Sequence, residues 1–447
     1  MSNPRQIAFK TLQQIGRHQT YTDIALDRSL QQSQLSAPEH RGLVTELVYG
    51  IIRRQRTLDA LINQLGTKPI HKQPPTLCNI LRIGLYQLRY LTQIPPSAAV
   101  NTSVELAKTN GLKNLAGVVN GMLRQYLRLQ QKGDPLKLPD GEVSRLGVLH
   151  SFPDWIVELW VQQWGIAETE TLCQWFNQTP NLDLRINPLQ TSVTEVEQAF
   201  QAAGVATQRV DGLPATLRLQ GSAGNIRQLP GYGKGWWTVQ DSSAQLVTHL
   251  LSPQPGEVVL DACAAPGGKS THIAEMMGDQ GRVWACDIGE KRLRKVTENA
   301  QRLRLESIRT CCVDSGEWGE FLQNCDRILL DVPCSGLGTL HRHPDIRWRQ
   351  TPAKVQELTQ LQFNLLNNTS QWLTPQGVLV YATCTLNPAE NEAIIEQFLA
   401  RHPHWHIIPP DTNSPLSRWT HPQGWLKVLP HHHDMDGFFM VKLGVGN

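Results

Sequence analysis

The sequence predicts a multidomain chain: an all-α N-terminal domain, a small α+β middle module, and an α/β Rossmann-like C-terminal domain with a doubly wound, mainly parallel sheet. Three observations carry that reading. At 447 residues the chain is longer than one ordinary domain. Through residue 131 apolar side chains recur at helical spacing. From about residue 236 short apolar strands alternate with amphipathic helices, the pattern of a parallel sheet covered on both faces.

The elements follow in order. Helical periodicity runs through RQIAFKTLQQI, RGLVTELVYGII and NLAGVVNGMLRQYLRLQ in a domain spanning 1–131. Ser36-Ala37-Pro38-Glu39 has capping-box form and predicts a helix start. Pro95-Pro96 and Gly111 mark breaks, and KGDPLKLPDG (132–141) reads as a linker. Residues 142–235 read as the α+β module, with Trp155, Trp160, Trp164 and Trp175 packing between helices. In it LDLRINP and ATLRLQ read as strands, and SVTEVEQAFQAAG as a helix. Residues 236–447 form the third domain, with strands at EVVLDAC, RVWACD, IRTCCVD, RILLDVP and GVLVYATC. Helices are expected at THIAEMM, EKRLRKVTENAQRL and AKVQELTQLQFNLLNNTSQWL.

Composition narrows the function classes. With 40% hydrophobic and 18% charged residues and 13 Trp, the chain buries a large core, and wholesale disorder is excluded. No apolar run reaches the ~20 residues that cross a bilayer. The start MSNPRQIAFK lacks a basic-then-apolar signal pattern. The expectation is a cytoplasmic protein, a monomer with no membrane partner. Nine cysteines, an odd number without regular spacing, argue for reduced thiols rather than a disulfide framework. Residues 1–135 hold 17 Lys+Arg against 7 Asp+Glu, a net +10, and the remainder holds 25 against 32, a net −7. That asymmetry, with Arg53, Arg54 and Arg56 clustered, suits a polyanion partner; a basic solvated helix face is the competing reading.

Sheets of this type bind ligands at the carboxyl ends of their strands. Asp261, Asp287, Asp314, Asp331 and Cys384 fall at those ends. The first strand runs into DACAAPGGKS, a Gly-rich turn before a helix, which leaves backbone N–H groups facing a ligand. A Walker A loop would need Gly where Cys263 stands, although ILLD (328–331) could serve as a Walker B strand, and the dinucleotide pattern G-x-G-x-x-G is absent. S-adenosylmethionine fits better. It needs an acidic residue closing the second strand to accept from the ribose hydroxyls, and Asp287 ends RVWACD, 19 positions after Gly268. Asp314 closes the third strand, within reach of an adenine amino group. A purely structural turn is the alternative.

DVPCSG (331–336) and YATCTLNPAENE (381–392) each place a cysteine at a predicted strand end, among Pro, Ser, Thr and Gly rather than in an apolar run. A buried, inert thiol suits Cys78, Cys173, Cys286, Cys311, Cys312 and Cys325 better than Cys334 and Cys384. Two such cysteines suit methylation of cytosine C5. That carbon is a poor nucleophile until a thiolate adds to C6, and a second group must then assist release. Asp331 could hydrogen-bond the exocyclic amine with a shared proton at N3, and Lys269 could hold Asp331 or a thiolate charged. The residues alone do not say which cysteine attacks.

DACAAPGGKS, LLDVPCSG and YATCTLNPAENE, in this order, resemble the motifs of the Nol1/Nop2/Sun family of RNA cytosine-C5 methyltransferases. WWTVQDSSAQLV, HRHPDIRWRQ and DMDGFFMVKL are similar to the same family, and the basic helical N-terminus resembles a NusB-type RNA-binding domain. The resemblance covers nearly the whole chain and is weakest over 140–230. It implies transfer of a methyl group to cytosine in small-subunit (16S) ribosomal RNA. It implies Cys384 as nucleophile and Cys334 as the residue assisting release. It implies that Cys263, Ala264, Ala265, Pro266, Gly267, Gly268 and Lys269 hold the methionine part of S-adenosylmethionine, Asp287 the ribose and Asp314 the adenine. Asp331 would line both cofactor and base.

Two other features carry expectations. Arg342, Arg347 and Arg349 with Trp348 form a basic-aromatic patch that reads as an RNA contact, with a surface loop as the alternative. His431, His432, His433 and Asp434 read as a polar loop and not a metal site, since adjacent histidines diverge and no Cys-x-x-Cys pair supports zinc. The rival functions are an RNA-stimulated P-loop NTPase, opposed by Cys263, and a non-enzymatic RNA-binding factor, opposed by two intact cysteine motifs.

Overall fold

Proline sets helix starts in the N-terminal region. Pro38, Pro75 and Pro96 each stand in a first helical turn, where a missing N–H costs nothing. The computed structural model describes residues 3–18, 20–33, 35, 37–221, 224–313 and 324–446. It divides the chain into two compact units, 1–178 with 340–349, and 179–339 with 350–447. Among the described residues no helix is long and apolar enough to cross a membrane.

The first unit is helical. Its helices are Pro4–His18, Thr22–Gln32, Pro38–Arg53, Gln55–Leu65, Pro75–Tyr90, Pro96–Thr109, Ala116–Gln130, Glu142–His150 and Asp154–Trp175, with a short one at Ile346–Arg349. The apolar stripes expected from periodicity meet in one core, where Leu12, Val48, Leu61, Leu81 and Leu123 are buried. The helix expected near Ser36 begins at Pro38, with Ala37 at the N-cap and no side-chain cap; Ser36 itself lies outside the described residues. The four tryptophans read from the sequence all ride on Asp154–Trp175, where Trp160 is buried and stacks on Phe176 at 5.5 Å.

The segment 340–349 corrects the reading of a basic-aromatic RNA patch. Arg347 is wholly buried inside this unit. Its guanidinium bonds the carbonyls of Arg53, Ser151 and Leu340 at 3.1–3.2 Å and the Asn177 amide oxygen at 3.3 Å, and lies 3.9 Å from the Phe152 ring centroid. The Trp348 indole donates to the Ile52 carbonyl at 2.8 Å, and Arg349 bonds Asp345 and the Thr20 carbonyl. Arg347, Trp348 and Arg349 are spent on contacts inside the helical unit.

The second unit opens with a four-stranded antiparallel sheet, order β2-β3-β1-β4, from β1 (Leu182–Ile186), β2 (Thr207–Val210), β3 (Leu213–Leu219) and β4 (Trp237–Val239). The helix Val193–Ala202 starts on a capping box from Ser192 and Glu195 and packs on this sheet through Val196 and Phe200. Strand β1 is buried on both faces. Leu184 and Ile186 join the apolar cluster, while Asp183 and Arg185 on the other face are buried polar residues.

The larger sheet holds β5 (Val258–Asp261), β6 (Arg282–Asp287), β7 (Ile308–Cys312), β8 (Cys325–Asp331), β9 (Leu373–Thr383), β10 (Trp405–Ile407), β11 (Leu426–Val428) and β12 (Phe438–Val445). Its order is β10-β12-β9-β8-β5-β6-β7, with β11 on β12. The run β9-β8-β5-β6-β7 is parallel, as expected, and β12 pairs antiparallel with β9, β10 and β11. Helices Ser242–Leu251, Gly268–Met276 and Glu290–Leu303 cover one face; Pro352–Thr369 and Glu392–Arg401 cover the other. Because β5 has β6 on one side and β8 on the other, the strand order reverses there. Such a reversal opens a crevice at the carboxyl ends.

Candidate active site

The crevice is lined in strand order. Cys384 follows β9, Asp331 ends β8, Asp261 ends β5 and Asp287 ends β6. Strand alternation and the abrupt end of each apolar run put these polar side chains there.

On the β5–β6 side main-chain bonds shape the loop 262–267, and Arg292 and Asn299 donate to its Ala265 and Pro266 carbonyls at 3.2 Å. Ala264 N–H donates to the Cys286 carbonyl at 2.8 Å and Gly267 N–H to the Ala264 carbonyl at 2.7 Å. Gly267 has φ +100, and a Cβ there would sit 3.0 Å from the Val296 Cα, so glycine is required on both counts. The helix Gly268–Met276 begins without a side-chain cap, leaving first-turn N–H groups for a ligand. Cys263 packs against the apolar cluster beneath the sheet, and burial pushes its thiol up. Asp287 is buried and accepts from Gly289 N–H at 3.0 Å and Ala265 N–H at 3.3 Å, with Arg292 at 3.3 Å. The next residue, Ile288, is 67% exposed. A carboxylate beside an exposed isoleucine fits a ribose followed by a purine ring, so these residues suit an adenosyl cofactor. Asp314, expected at the adenine, lies outside the described residues.

Between the two sides sit Lys269 and Asp331, ion-paired at 2.5 Å. Burial works against the Lys269 ammonium, but the Asp331 charge, the hydrogen bond and the nearby Cys384 outweigh it and raise its pKa. Asp261 is buried; Ser270 Oγ donates to its Oδ2 at 2.6 Å, while its Oδ1 has no partner. Burial is the main cause pushing this carboxyl up to about 7, and Ser270 pulls it partly back.

On the β8–β9 side the Sγ atoms of Cys334 and Cys384 lie 3.3 Å apart. Both side chains are half-buried. Side chains hold this half together. Glu390 is wholly buried and accepts from Ser335 N–H at 2.8 Å and from Gln362 at 3.0 Å on Oε1, and from the Ser335 hydroxyl on Oε2. Ser335 Oγ also lies 2.8 Å from Thr385 Oγ1. Asn391 accepts from Thr383 at 2.6 Å and donates to the Thr385 carbonyl at 3.0 Å. Gly338 N–H donates to the Cys384 carbonyl at 2.9 Å, and a Cβ on Gly338 would collide with the Gly437 carbonyl.

One buried cation joins the small sheet to the Gly-rich loop. Arg185 bonds both Glu275 oxygens at 2.8 Å, Thr271 Oγ1 at 3.0 Å, the Gly268 carbonyl at 2.7 Å and the Gln240 amide oxygen. Arg185, Gln362, Glu390 and Asn391 are absent from the residues read from sequence as functional. The acidic pair within NPAENE was the only signal for Glu390. His431, His432 and His433 fall in a short helix, Pro430–His433.

Comparison with known proteins adds independent findings. Residues 248–444 match the family described as 16S rRNA methyltransferase RsmB/F. Residues 2–128 match the NusB family, and 152–226 a ferredoxin-like domain of RsmF/B-like methyltransferases. The chain is 55% identical to a Synechocystis sp. protein described as probable ribosomal RNA small subunit methyltransferase B, over 99% of both chains. It is 34% identical to the Bacillus subtilis protein of the same description, over 98% of both. The crystal structure of PH0851 is similar at a TM-score of 0.83 and 25% identity, over 99% of both chains.

Proposed function

We propose that this chain, which belongs to the 16S rRNA methyltransferase RsmB/F family, transfers a methyl group from S-adenosylmethionine to C5 of a cytosine in 16S rRNA, through a covalent bond between Cys384 and C6. The observation that carries the reading is the pair of sulfurs 3.3 Å apart at neighbouring parallel strand ends, beside the Lys269–Asp331 ion pair.

Cys384 adds to C6 as the thiolate; the S–C6 bond forms and the ring electron pair moves to C5. Lys269, paired with Asp331, lies within electrostatic reach of that sulfur. Asp331 hydrogen-bonds the exocyclic amine and shares a proton at N3, which takes up the charge that addition pushes into the ring. Bound S-adenosylmethionine supplies an electrophilic methyl group. Cys263 to Lys269 would hold its methionine end and Asp287 its ribose, and Asp314, outside the described residues, is the residue expected at the adenine. Cys334 then assists loss of the C5 proton, and the electron pair returning to C5–C6 expels Cys384. The cytosine must leave its stack first, because C6 is attacked from above the ring plane. The basic N-terminal helices supply salt-sensitive phosphate contacts.

Mapping 5-methylcytosine in 16S rRNA from cells with and without this protein tests the reading. One site should disappear with the protein and return with the wild-type chain but not with Cys384→Ala. An unchanged map overturns it.

A further inference from the structure

Alternation along β1 puts Asp183, Arg185 and the following Asn187 on one face, and all three are buried. Each grips a different part of the second unit. Asp183 accepts from Arg218 at 2.7 Å and from Ser242 N–H at 3.3 Å. Asn187 donates to the Gly235 and Leu303 carbonyls at 3.2 and 3.1 Å. Arg185 reaches the Gly-rich turn: it donates to the Gly268 carbonyl at 2.7 Å, to Thr271 Oγ1 at 3.0 Å and to the Gln240 amide oxygen, and both Glu275 oxygens hold its charge at 2.8 Å. The Thr271 hydroxyl in turn donates to the Gly267 carbonyl at 2.9 Å.

We propose that Arg185 is a positioning residue for the cofactor: it holds the Gly267 and Gly268 carbonyls toward the small sheet, so that the N–H groups of Gly268 and Lys269 face the other way, toward the carboxylate of the methionine end. The inference rests on the reading above that residues 263–269 hold S-adenosylmethionine. Its cause is peptide planarity. The 267–268 and 268–269 peptides are trans, and in a trans peptide the C=O and the following N–H point in opposite directions. Anchoring two carbonyls therefore aims two donors. The anchor is needed because Gly267, at φ +100, has no side chain to resist rotation of this peptide, and because the helix Gly268–Met276 begins without a side-chain cap. Uncapped first-turn N–H groups suit a carboxylate. Arg185 acts through Gly268 and Thr271 rather than by touching the ligand. The small sheet thus becomes a supporting wall of the cofactor site.

Three variants of the full-length protein test this. Arg185→Lys keeps a charge beside Glu275, but an ammonium cannot span Gly268, Thr271 and Gln240 as the guanidinium fork does. Arg185→Gln combined with Glu275→Gln removes both charges and strands neither. Asn187→Ala is the control from the same face of the same strand. S-adenosylmethionine affinity is measured by calorimetry, and amide exchange over 271–276 by mass spectrometry on the ligand-free protein. Both Arg185 variants should bind S-adenosylmethionine about tenfold more weakly, as loss of a hydrogen bond from a charged donor dictates, and should exchange faster. The KM for S-adenosylmethionine should rise while kcat at saturating cofactor stays within about twofold of wild type. Asn187→Ala should lower the unfolding midpoint and leave affinity and exchange unchanged. A folded Arg185→Lys with wild-type affinity overturns the proposal, whether or not the double variant folds. So does an Asn187→Ala that loses as much affinity, since the effect would then belong to docking of the whole sheet. If the affinities shift as expected while no 5-methylcytosine forms, the methylation reading fails and the role of Arg185 stands. Methylation by a wild-type protein whose Arg185 variants bind normally sinks only the latter.

Discussion

The two sides of the crevice are held by different chemistry. On the β5–β6 side main-chain bonds shape the cradle: loop 262–267 bonds to itself and to β6, and Asp287 accepts from two main-chain N–H groups, with Arg185, Arg292 and Asn299 adding side-chain bonds. On the β8–β9 side the backbone ends at Asp331 and Thr383, and a set of buried polar side chains around Glu390 takes over. The difference teaches where tolerance lies. A loop shaped mainly by main-chain bonds keeps its form through most side-chain changes, those at Arg185, Arg292 and Asn299 excepted. A nucleophile pair set by side chains loses its spacing when one carboxylate is removed, because buried polar networks fail together.

The largest expected effect breaks the comparison at the β9 end. Cys384→Ala should abolish methyl transfer in a labelled-methyl assay while leaving S-adenosylmethionine affinity, measured by calorimetry, unchanged. The change touches only one side of the crevice. Next is Arg185→Ala, which strands the buried Glu275 carboxylate and should cost ~3–5 kcal/mol in denaturant unfolding. Because Arg185 also bonds the Gly268 carbonyl, cofactor affinity should fall with it. Asp287→Ala should weaken S-adenosylmethionine binding by about 1.5–3 kcal/mol, the worth of hydrogen bonds to a charged group, without altering the labelling of either active-site cysteine.

A further expected effect concerns pH. Asp261 ionises at about 7 in the folded chain against an ordinary 3.8. Between those values the folded state binds a proton that the unfolded state has lost. This group's contribution is therefore full below 3.8, falls as pH rises and levels off above about 7. Asp261→Asn should remove that decline, seen as a flatter difference in unfolding midpoint over this window. An unchanged slope would show that the carboxyl finds a partner for its unbonded Oδ1.

Much of the first side was legible because strand, turn and helix leave local marks. The apolar run VVLD stops at Asp261 and RVWACD stops at Asp287, so the ligand edge could be placed from the sequence. The same logic placed both cysteines at strand ends. Strand β12 was read only as a family motif, since FFMVKLGV is largely buried on both faces and shows no alternation. Arg185, Glu390 and Arg347 were beyond reach for a common reason. A buried charge has the same letter as a solvated one, and its partners lie far along the chain: Glu275 for Arg185, Ser335 and Gln362 for Glu390, the carbonyls of Arg53 and Ser151 for Arg347. In HRHPDIRWRQ the basic and aromatic letters favoured an RNA surface, yet the segment satisfies the interior of the helical unit.

The central claim is that Cys384 is the sulfur that bonds cytosine. Cys334→Ala, incubated with 16S rRNA and S-adenosylmethionine, measures it most directly. Release should stall, and mass spectrometry of the covalent protein–RNA band should place the modified cytosine on residue 384. A crosslink mapped to another residue, or methylated RNA turned over with no crosslink at all, would contradict it.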